Sequence, residues 1–365
     1  METVKLSSKQ LFSIMVLFEL GSSVVVGLGM EAEQDAWITI LLGMCGGFIL
    51  FFVYASLFKR YPDLPLSEYA QKILGKWPGK IIAVLYSLYF IYIGARVLRD
   101  FGELIVTSTL SETPLFVINL LISGVILYGA LLGVEVIGRS SEIFFVIVMF
   151  LGVIFIGLIL LSNLFHIENL QPVLENGWRP VFQTAFPLVL TFPFGEMVVF
   201  TMFLPFLPKK KEGQKTGMYA ILLSGIILTV TIIFQIGVMG AYQAKTSTFP
   251  LLETIGRINI QDIIQRLDPI AILILMIGGF IKIIIFLFGS AISLSTAFSI
   301  KSWKTLTVII TCAALITSIL IERNYLEHIQ IGLNVVPYYV HPPFQIGIPL
   351  LLFLVMHYKK WRAQE

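Results

Sequence analysis

Two short stretches decide the fold: FELGSS at 18–23 and TFPFGE at 191–196. Each lies near the middle of a long apolar segment, and each combines a glycine or a proline with a glutamate. A break in a membrane helix frees backbone N–H and C=O groups, which must then meet a polar ligand, a water or another side chain. We therefore expect both segments to be transmembrane helices that are interrupted near mid-membrane.

The segments around these two stretches are too apolar for a soluble domain. Of the 365 residues, 57% are hydrophobic and only 13% are charged, whereas about a quarter is charged in ordinary globular proteins. A run of about 20 apolar residues matches the hydrocarbon thickness of a bilayer when it is helical. The sequence predicts an all-α integral membrane protein with about ten transmembrane helices. The predicted spans are 9–29, 36–57, 79–106, 113–134, 142–162, 180–207, 216–242, 269–298, 302–321 and 343–358.

The distribution of Lys and Arg indicates the orientation of these spans. With a cytoplasmic N-terminus, seventeen of the 25 basic residues fall on the cytoplasmic side, when residues at the cytoplasmic ends of their spans, such as Lys80 and Lys304, are counted there. Five fall on the outer side, and the other three lie deeper within spans. Short cytoplasmic loops of membrane proteins carry the excess of Lys and Arg. We expect both termini to be cytoplasmic.

The two interruptions fall in the first span of each half of the chain, 1–162 and 163–365. Five helices reverse the direction of the chain, so the sequence predicts two inverted five-helix repeats with broken helices 1 and 6. Interrupted helices at corresponding positions of inverted repeats indicate a transporter-type binding site. The alternative is that Gly21 and Pro193 only kink their helices. The expected ligand-binding residues are Gly21, Ser22, Ser23, Gly27, Tyr92, Thr191, Phe192, Phe194 and Gly195.

Three ionisable residues, Glu19, Glu196 and Lys282, fall near the middle of their spans. A charge at a helix centre costs about 2.5–3.5 kcal/mol on insertion scales, so each needs a partner or a function. The simplest expectation is a contact between Lys282 and a carboxylate of another helix. Such a contact is either a structural ion pair or part of proton coupling or ligand binding. Alternatively, burial keeps Lys282 neutral and ready to accept a proton.

The third span carries one continuous polar stripe, since its tyrosines and charges follow steps of three and four. Such a stripe cannot face lipid, so it faces the interior of the bundle or a wet vestibule. Arg96 can reach Asp100 and Arg99 can reach Glu103, each at i,i+4. The stripe comprises Tyr86, Tyr89, Tyr92, Arg96, Arg99, Asp100 and Glu103. The candidate coupling residues are Glu19, Arg96, Asp100, Glu196 and Lys282.

No pattern in the sequence indicates catalysis. The four histidines are expected in loops or at the interface, without metal-ligand spacing, and no nucleophile–base pair is visible. We therefore expect no enzymatic activity, no metal and no cofactor. The basic run KKKEGQK at 209–215 is typical of a cytoplasmic loop with contact to anionic lipid, and nucleic-acid binding is not indicated.

Several stretches make the chain similar to a known family over essentially its whole length. They are FELGSSVVVG (18–27), DAWI (35–38), RYPDLPLSEYAQKILGKWPGK (60–80), NLQPVLENGW (169–178), FPFGEMVVFTMFLP (192–205) and PPFQIGIPLLL (342–352). In this order and spacing they resemble the B-subunit family of bacterial spore germination receptors. That family is a branch of the amino acid–polyamine–organocation transporter superfamily, which implies a fold like that of LeuT.

The resemblance implies a transporter-like subunit that recognises a small nutrient germinant, an amino acid or a sugar. Its partners would be an A subunit, a C lipoprotein subunit and the lipid of the inner spore membrane. The two helix breaks would line the ligand pocket, with helices 3 and 8 at its sides.

Two other functions stay open at this point. One is an autonomous proton-coupled amino acid permease, in which Lys282 and a glutamate are the coupling groups. The other is an ion or water channel, which would need a continuous polar lining, whereas the sequence shows only the half-stripe of the third span.

Overall fold

The computed structural model describes residues 5–262 and 265–362. Residues 1–4, 263–264 and 363–365 of the two predicted halves lie outside the described residues. Fourteen α-helices follow one another: α1 Ser8–Ser23, α2 Ala36–Arg60, α3 Leu66–Leu74, α4 Lys76–Ser108, α5 Leu115–Leu132, α6 Val134–Leu161, α7 Trp178–Thr184, α8 Gly213–Met239, α9 Ala241–Thr246, α10 Pro250–Gly256, α11 Asp268–Phe298, α12 Trp303–Leu320, α13 Tyr325–Asn334 and α14 Ile348–Arg362.

Short tight or wide helical turns connect these helices. The tight 3-10 turns are Met30–Asp35, Ile167–Leu170, Phe194–Met202, Leu204–Phe206 and Lys210–Glu212. The wide turns are Ala185–Val189, Val336–Val340 and Pro343–Gly347.

The predicted all-helical membrane architecture is confirmed. Within the described residues, 9 helical segments are long and apolar enough to cross a membrane. The first predicted span is not among these 9 segments, because its helix α1 has only 16 residues. At 1.5 Å per residue this helix is about 24 Å long, which is shorter than the hydrocarbon core. Residues 24–29 continue the span as turns.

The first interruption begins later than the sequence predicted. Gly21 lies inside α1, which ends only at Ser23. A side chain at Gly21 would meet the carbonyl oxygen of Gly278 and the side chain of Lys282, each at 3.0 Å. Gly21 therefore permits the close approach of α1 and α11, and the break itself starts at Val24.

The second interruption is longer than the sequence predicted. The sixth span starts as α7 and loses regular geometry at Phe186, which has non-helical backbone angles. A wide turn and then a 3-10 helix, Phe194–Met202, carry the chain onward. The segment thus stays irregular through the predicted break at 191–195 and well beyond it.

Helices α1, α4 and α11 form the centre of the bundle. α11 packs against both α1 and α4, and α1 also packs against α6 and α8. Side chains of α5 and α6 are largely exposed, as expected for helices at a lipid-facing surface. α1 begins with a capping box, in which Ser7 and Gln10 satisfy each other's backbone N–H groups.

The last span is much longer than the predicted 343–358. Tyr325–Arg362 forms one helical segment of 38 residues, in which α13, two wide turns and α14 follow one another. Pro342 and Pro343 fall inside this segment rather than at its start. Proline has no backbone N–H group to donate within a regular α-helix. The wide turns near the two prolines have a different hydrogen-bond spacing, and the segment stays helical through them.

Candidate ligand-binding site

A small polar pocket of about 50 Å³ lies where the two interrupted segments approach each other. Ser22 of α1 and Phe192 and Glu196 of the sixth span lie on one side of it. α4 and the last span close the other side. The remaining lining residues are Val26, Ile93, Arg96, Val97, Asp100, His328, Ile329, Gly332, Leu333, Val336 and His341.

Five of the residues that sequence analysis singled out line this pocket: Ser22, Arg96, Asp100, Phe192 and Glu196. Ser22 is buried, and its Oγ has no hydrogen-bond partner within residues 5–262 and 265–362. A buried hydroxyl without a partner is costly unless a ligand or a water satisfies it. The pocket therefore offers one free hydroxyl beside two carboxylates.

The other predicted hydroxyls bond within their own segments. Ser23 Oγ donates to the carbonyl oxygen of Glu19 at 2.7 Å, and Thr191 Oγ1 donates to that of Pro187 at 2.8 Å. The hydroxyl of Tyr92 accepts a long hydrogen bond of 3.4 Å from Arg96. These three residues lie outside the pocket lining, and a ligand-binding role for them stays a prediction.

The remaining predicted residues pack against neighbouring helices. Phe194 lies against Gly47 of α2, and Gly195 lies against Oε1 of Gln345 in the last span. Gly27 lies next to Met30 and Pro250, on the far side of the break. Like Gly21, Gly27 and Gly195 let segments approach each other closely.

Lys282 forms the contact across helices that the sequence predicted. Its Nζ lies 2.5 Å from Oε2 of Glu196, and both side chains are buried. The ammonium group also lies over the rings of Phe18 and Phe192, at 5.0 and 4.8 Å from their centroids. This ion pair joins α11 to the second interruption directly beside the pocket.

Glu19 adds a second carboxyl group to this buried region. Glu19 is fully buried, and neither carboxylate oxygen has a hydrogen-bond partner in the part of the chain that the structure describes. One lysine therefore faces two carboxyl groups, Glu19 and Glu196, in a low-dielectric environment. A bound proton would remove the excess negative charge of this arrangement.

A buried ionic cluster lies over the polar pocket, between α4 and the start of the last span. Arg96 pairs with Glu322 at 2.5 Å, and the ring of His328 lies between Glu322 and Asp100. The two ring nitrogens are 2.8 Å from Glu322 Oε2 and 2.9 Å from Asp100 Oδ1. Both nitrogens can donate only in the protonated imidazole, so this geometry fits a charged His328.

One predicted pairing within the third span is wrong and the other is confirmed. Arg99 pairs with Glu103 at 3.0 Å along α4. Arg96 does not pair with Asp100, because Glu322 approaches it from the loop after α12 and offers a partner on another segment. The carboxylate of Asp100 pairs with His328 instead.

Glu322 lies in the loop between α12 and α13, outside the spans. Burial alone would raise the pKa of its carboxyl group, but the hydrogen bond from His328 and the positive charge of Arg96 outweigh it. The pKa of Glu322 is therefore held below its ordinary value. Its ionised form is the one that the cluster stabilises.

Two histidines of the site were misplaced by sequence analysis. His328 and His341 are buried in the last span, not in loops or at the interface. The tyrosine stripe faces them, as expected for the bundle interior: Tyr89 Oη lies 2.8 Å from Nδ1 of His341. The sequence contains a signal for the start of α13, the helix that carries His328. Asn324 caps this helix with its side chain, and Glu327 follows three residues later.

The described residues contain no group of three or more His, Cys, Asp or Glu side chains arranged to hold a metal ion. The clustered charges of the site are instead satisfied by one another.

Solved structures with the same fold define the class of this protein. MhsT in complex with L-phenylalanine superimposes with a TM-score of 0.66, at 14% identity, over 96% of this chain and 97% of that chain. Mhp1, a nucleobase-cation-symport-1 family transporter, gives a TM-score of 0.61 at 15% identity, over 96% of this chain and 75% of that chain. The chain thus has the LeuT fold of secondary transporters, with broken first and sixth helices.

Sequence comparison then gives the family. The model of the spore germination protein family matches residues 5–326. Spore germination protein KB of Bacillus subtilis (strain 168) is 40% identical over 365 residues, which are 100% of this chain and 98% of that protein. Spore germination protein A2 of the same strain is 27% identical over 352 residues, 92% of this chain and 94% of that protein. The chain belongs to the spore germination protein family and is a multi-pass membrane protein.

Proposed function

We propose that this chain is the nutrient-sensing, transporter-like subunit of a spore germination receptor, and that it binds a small germinant, an amino acid, in the polar pocket. The observation that carries the proposal is the position of this pocket between the two interrupted segments, in a member of the spore germination family. Binding that favours one conformation of the subunit would shift its population and signal to its partners.

The lining of the pocket supports a small zwitterionic ligand. Glu196 and Asp100 can accept hydrogen bonds from an ammonium group in addition to their contacts with Lys282 and His328, and Ser22 offers a free hydroxyl to a carboxylate. Ile93 and Val97 provide apolar contact for a short side chain. A pocket of about 50 Å³ is small, so we expect a small amino acid rather than an extended ligand.

The proposed partners are an A subunit and a C lipoprotein subunit, in the inner membrane of the spore. The excess of Lys and Arg on one side supports termini that face the spore core. The buried Lys282 and Glu19 would also suit a proton-coupled permease. Flux of labelled amino acid into proteoliposomes of the purified chain, driven by a pH gradient, would favour that alternative.

Two buried serines provide a matched test of the pocket. Ser22→Ala removes the free hydroxyl, whereas Ser141→Ala removes a hydroxyl that bonds to the carbonyl oxygen of Ile137 within α6 and lies outside the pocket lining. Spores that carry each variant would be tested with standard L-amino acids and glucose. We expect Ser22→Ala to raise the germinant concentration for half-maximal response by about tenfold, which corresponds to one lost hydrogen bond.

The control variant Ser141→Ala should respond like the parent chain. Both variants should accumulate to the parent level, which immunoblotting of the spore membranes checks. Equal responses of Ser22→Ala and the parent chain would overturn the assignment of the pocket.

A further inference from the structure

A second and larger cavity, of about 310 Å³, lies beside α1 on the face away from the polar pocket. We call it the α6–α8 crevice, after the two helices that form its opposite walls. α1 and α11 form its floor, and α10 closes one end. Its volume falls at the lower end of the roughly 300–1,000 Å³ of ligand pockets.

The walls of the crevice are almost entirely apolar, and its few polar groups lie at one end. Val148 and Ile226 line it near the middle of their helices. Gln235, near the end of α8, and Thr254 of α10 line it on the membrane side opposite the N-terminus. The crevice thus runs from mid-membrane to that membrane surface, and its polarity rises in the same direction.

The crevice opens to the lipid-facing surface. Val153 of α6 and Ile226 of α8 line it and are exposed, by 70% and 47%. α6 belongs to the lipid-facing helices of the bundle. The hydrocarbon of the bilayer therefore lies directly against the opening.

We propose that the α6–α8 crevice binds an acyl chain of a membrane phospholipid. An apolar cavity does not hold water, and left empty it forfeits the dispersion contacts of its lining. Phospholipid chains are the apolar molecules present at this depth, and they need no passage through water to enter. The polar end matches the polar end of a phospholipid in the same leaflet. There the Oε1 of Gln235, buried and without a partner in the described part of the chain, faces the level of glycerol and head groups.

The inserted chain contacts α1 opposite its ligand-binding face. Leu17, Leu20, Gly21 and Val24 line the crevice at steps of three and four along the helix, whereas Ser22 faces the polar pocket. An acyl chain in the crevice packs against the last turn of α1, on the side opposite the polar pocket. Lipid occupancy and the position of Ser22 are therefore coupled.

The glycines of α6 give a matched pair of variants. Gly152 lines the crevice, and Gly157 lies outside its lining. Among the described residues, no heavy atom lies within 4 Å of a Cβ placed at either glycine. Both substitutions are therefore tolerated by the fold. Gly152→Leu fills the crevice, and Gly157→Leu changes the helix in the same chemical way without filling it.

The test uses the full chain in nanodiscs that contain phosphatidylglycerol with a diazirine in one acyl chain. After irradiation, mass spectrometry locates the attached lipid. We expect label on Met149, Val230 and neighbouring lining residues, reduced by about fivefold in Gly152→Leu because a leucine leaves no room for the chain, and unchanged in Gly157→Leu.

Two results would overturn the proposal. One is equal labelling of the crevice residues in both leucine variants. The other is occupation by a partner helix, seen as a disulfide cross-link from Val230→Cys to another receptor subunit in spore membranes. Without germinant, the pocket variant Ser22→Ala should leave the lipid labelling unchanged, because it removes a hydroxyl that does not line the crevice. Failure of the ligand site and failure of the lipid site are therefore distinguishable.

Discussion

At the scale of single residues, the centre of the protein is an ionic arrangement without access to water. Lys282 and Glu196 are buried and 2.5 Å apart, and Glu19 lies nearby with no compensating hydrogen bond among the described residues. Burying two charges costs several kcal/mol each, so such a pair is retained only where it is well matched or serves a function. Here the pair holds α11 against the irregular sixth span, beside the polar pocket.

Removing only one partner of this pair should strongly destabilise the protein. Lys282→Met leaves two carboxyl groups without their cation, and we expect a loss of about 3–5 kcal/mol. The double variant Lys282→Met with Glu196→Gln should recover most of that loss, because no buried charge of the pair remains. Thermal unfolding of the purified variants in detergent measures both effects.

An exposed ion pair provides the control. Lys245 and Glu31 are 2.8 Å apart, and their side chains are 34% and 67% exposed. Lys245→Met should cost less than about 1 kcal/mol, because solvent screens such pairs. If the double variant Lys282→Met with Glu196→Gln were no more stable than Lys282→Met alone, the ion pair with Glu196 would not be the source of the stability that Lys282 provides.

At the level of helices, the sequence predicted the positions of the spans but not where their irregular segments begin and end. Long apolar runs marked the spans from α2 to α12 well, because hydrocarbon thickness dictates the length of a helix. The ion pair of Lys282 also followed from the cost of a lone charge in a span. The break after α1 could not be located to the residue, since Gly21 fits a break and a close helix contact equally well.

The last span shows where local signals mislead. The predicted span began only at 343, and His328 and His341 were expected in loops or at the interface. The structure instead continues helically through wide turns, so that His328, His341 and Gln345 reach the core. Tertiary contacts explain why these polar groups are buried. His341 and Gln345 bond to Tyr89 of α4, and His328 bonds to Asp100 and Glu322.

The cap of α13 is the element that positions His328. The side chain of Asn324 accepts a hydrogen bond from the N–H of Glu327 at 2.9 Å. Asn324→Ala should lower the free energy of unfolding by about 1 kcal/mol, and Asn324→Asp should retain the cap. The midpoint of thermal unfolding is the measurement.

Asn334 at the other end of the same helix is exposed and serves as the control. Asn334→Ala should leave the midpoint unchanged. If Asn324→Ala and Asn334→Ala behaved alike, the cap would not be what holds α13 in place.

At the scale of the whole molecule, the orientation in the membrane is a prediction from the charge distribution. After replacement of Cys45 and Cys312 by alanine, single cysteines at two exposed loop positions would report it. A membrane-impermeant maleimide should label Asn176→Cys on intact cells, and Lys211→Cys only after permeabilisation. The reverse pattern would invert the proposed topology.

The whole molecule combines a transporter fold with a small pocket between the two interrupted segments, and the central claim is that this pocket binds the germinant. Ile93 of α4 lines the pocket, so Ile93→Phe should fill its volume of about 50 Å³. Leu88→Phe on the same helix changes an exposed position, 58% accessible, and serves as the control.

The most direct test is equilibrium binding to the purified chain in nanodiscs. The probe is the tritiated amino acid that gives the strongest germination response. We expect saturable binding to the parent chain and to Leu88→Phe, and none to Ile93→Phe. Binding to Ile93→Phe with the parent affinity would contradict the claim that the germinant lies between the two interrupted helices.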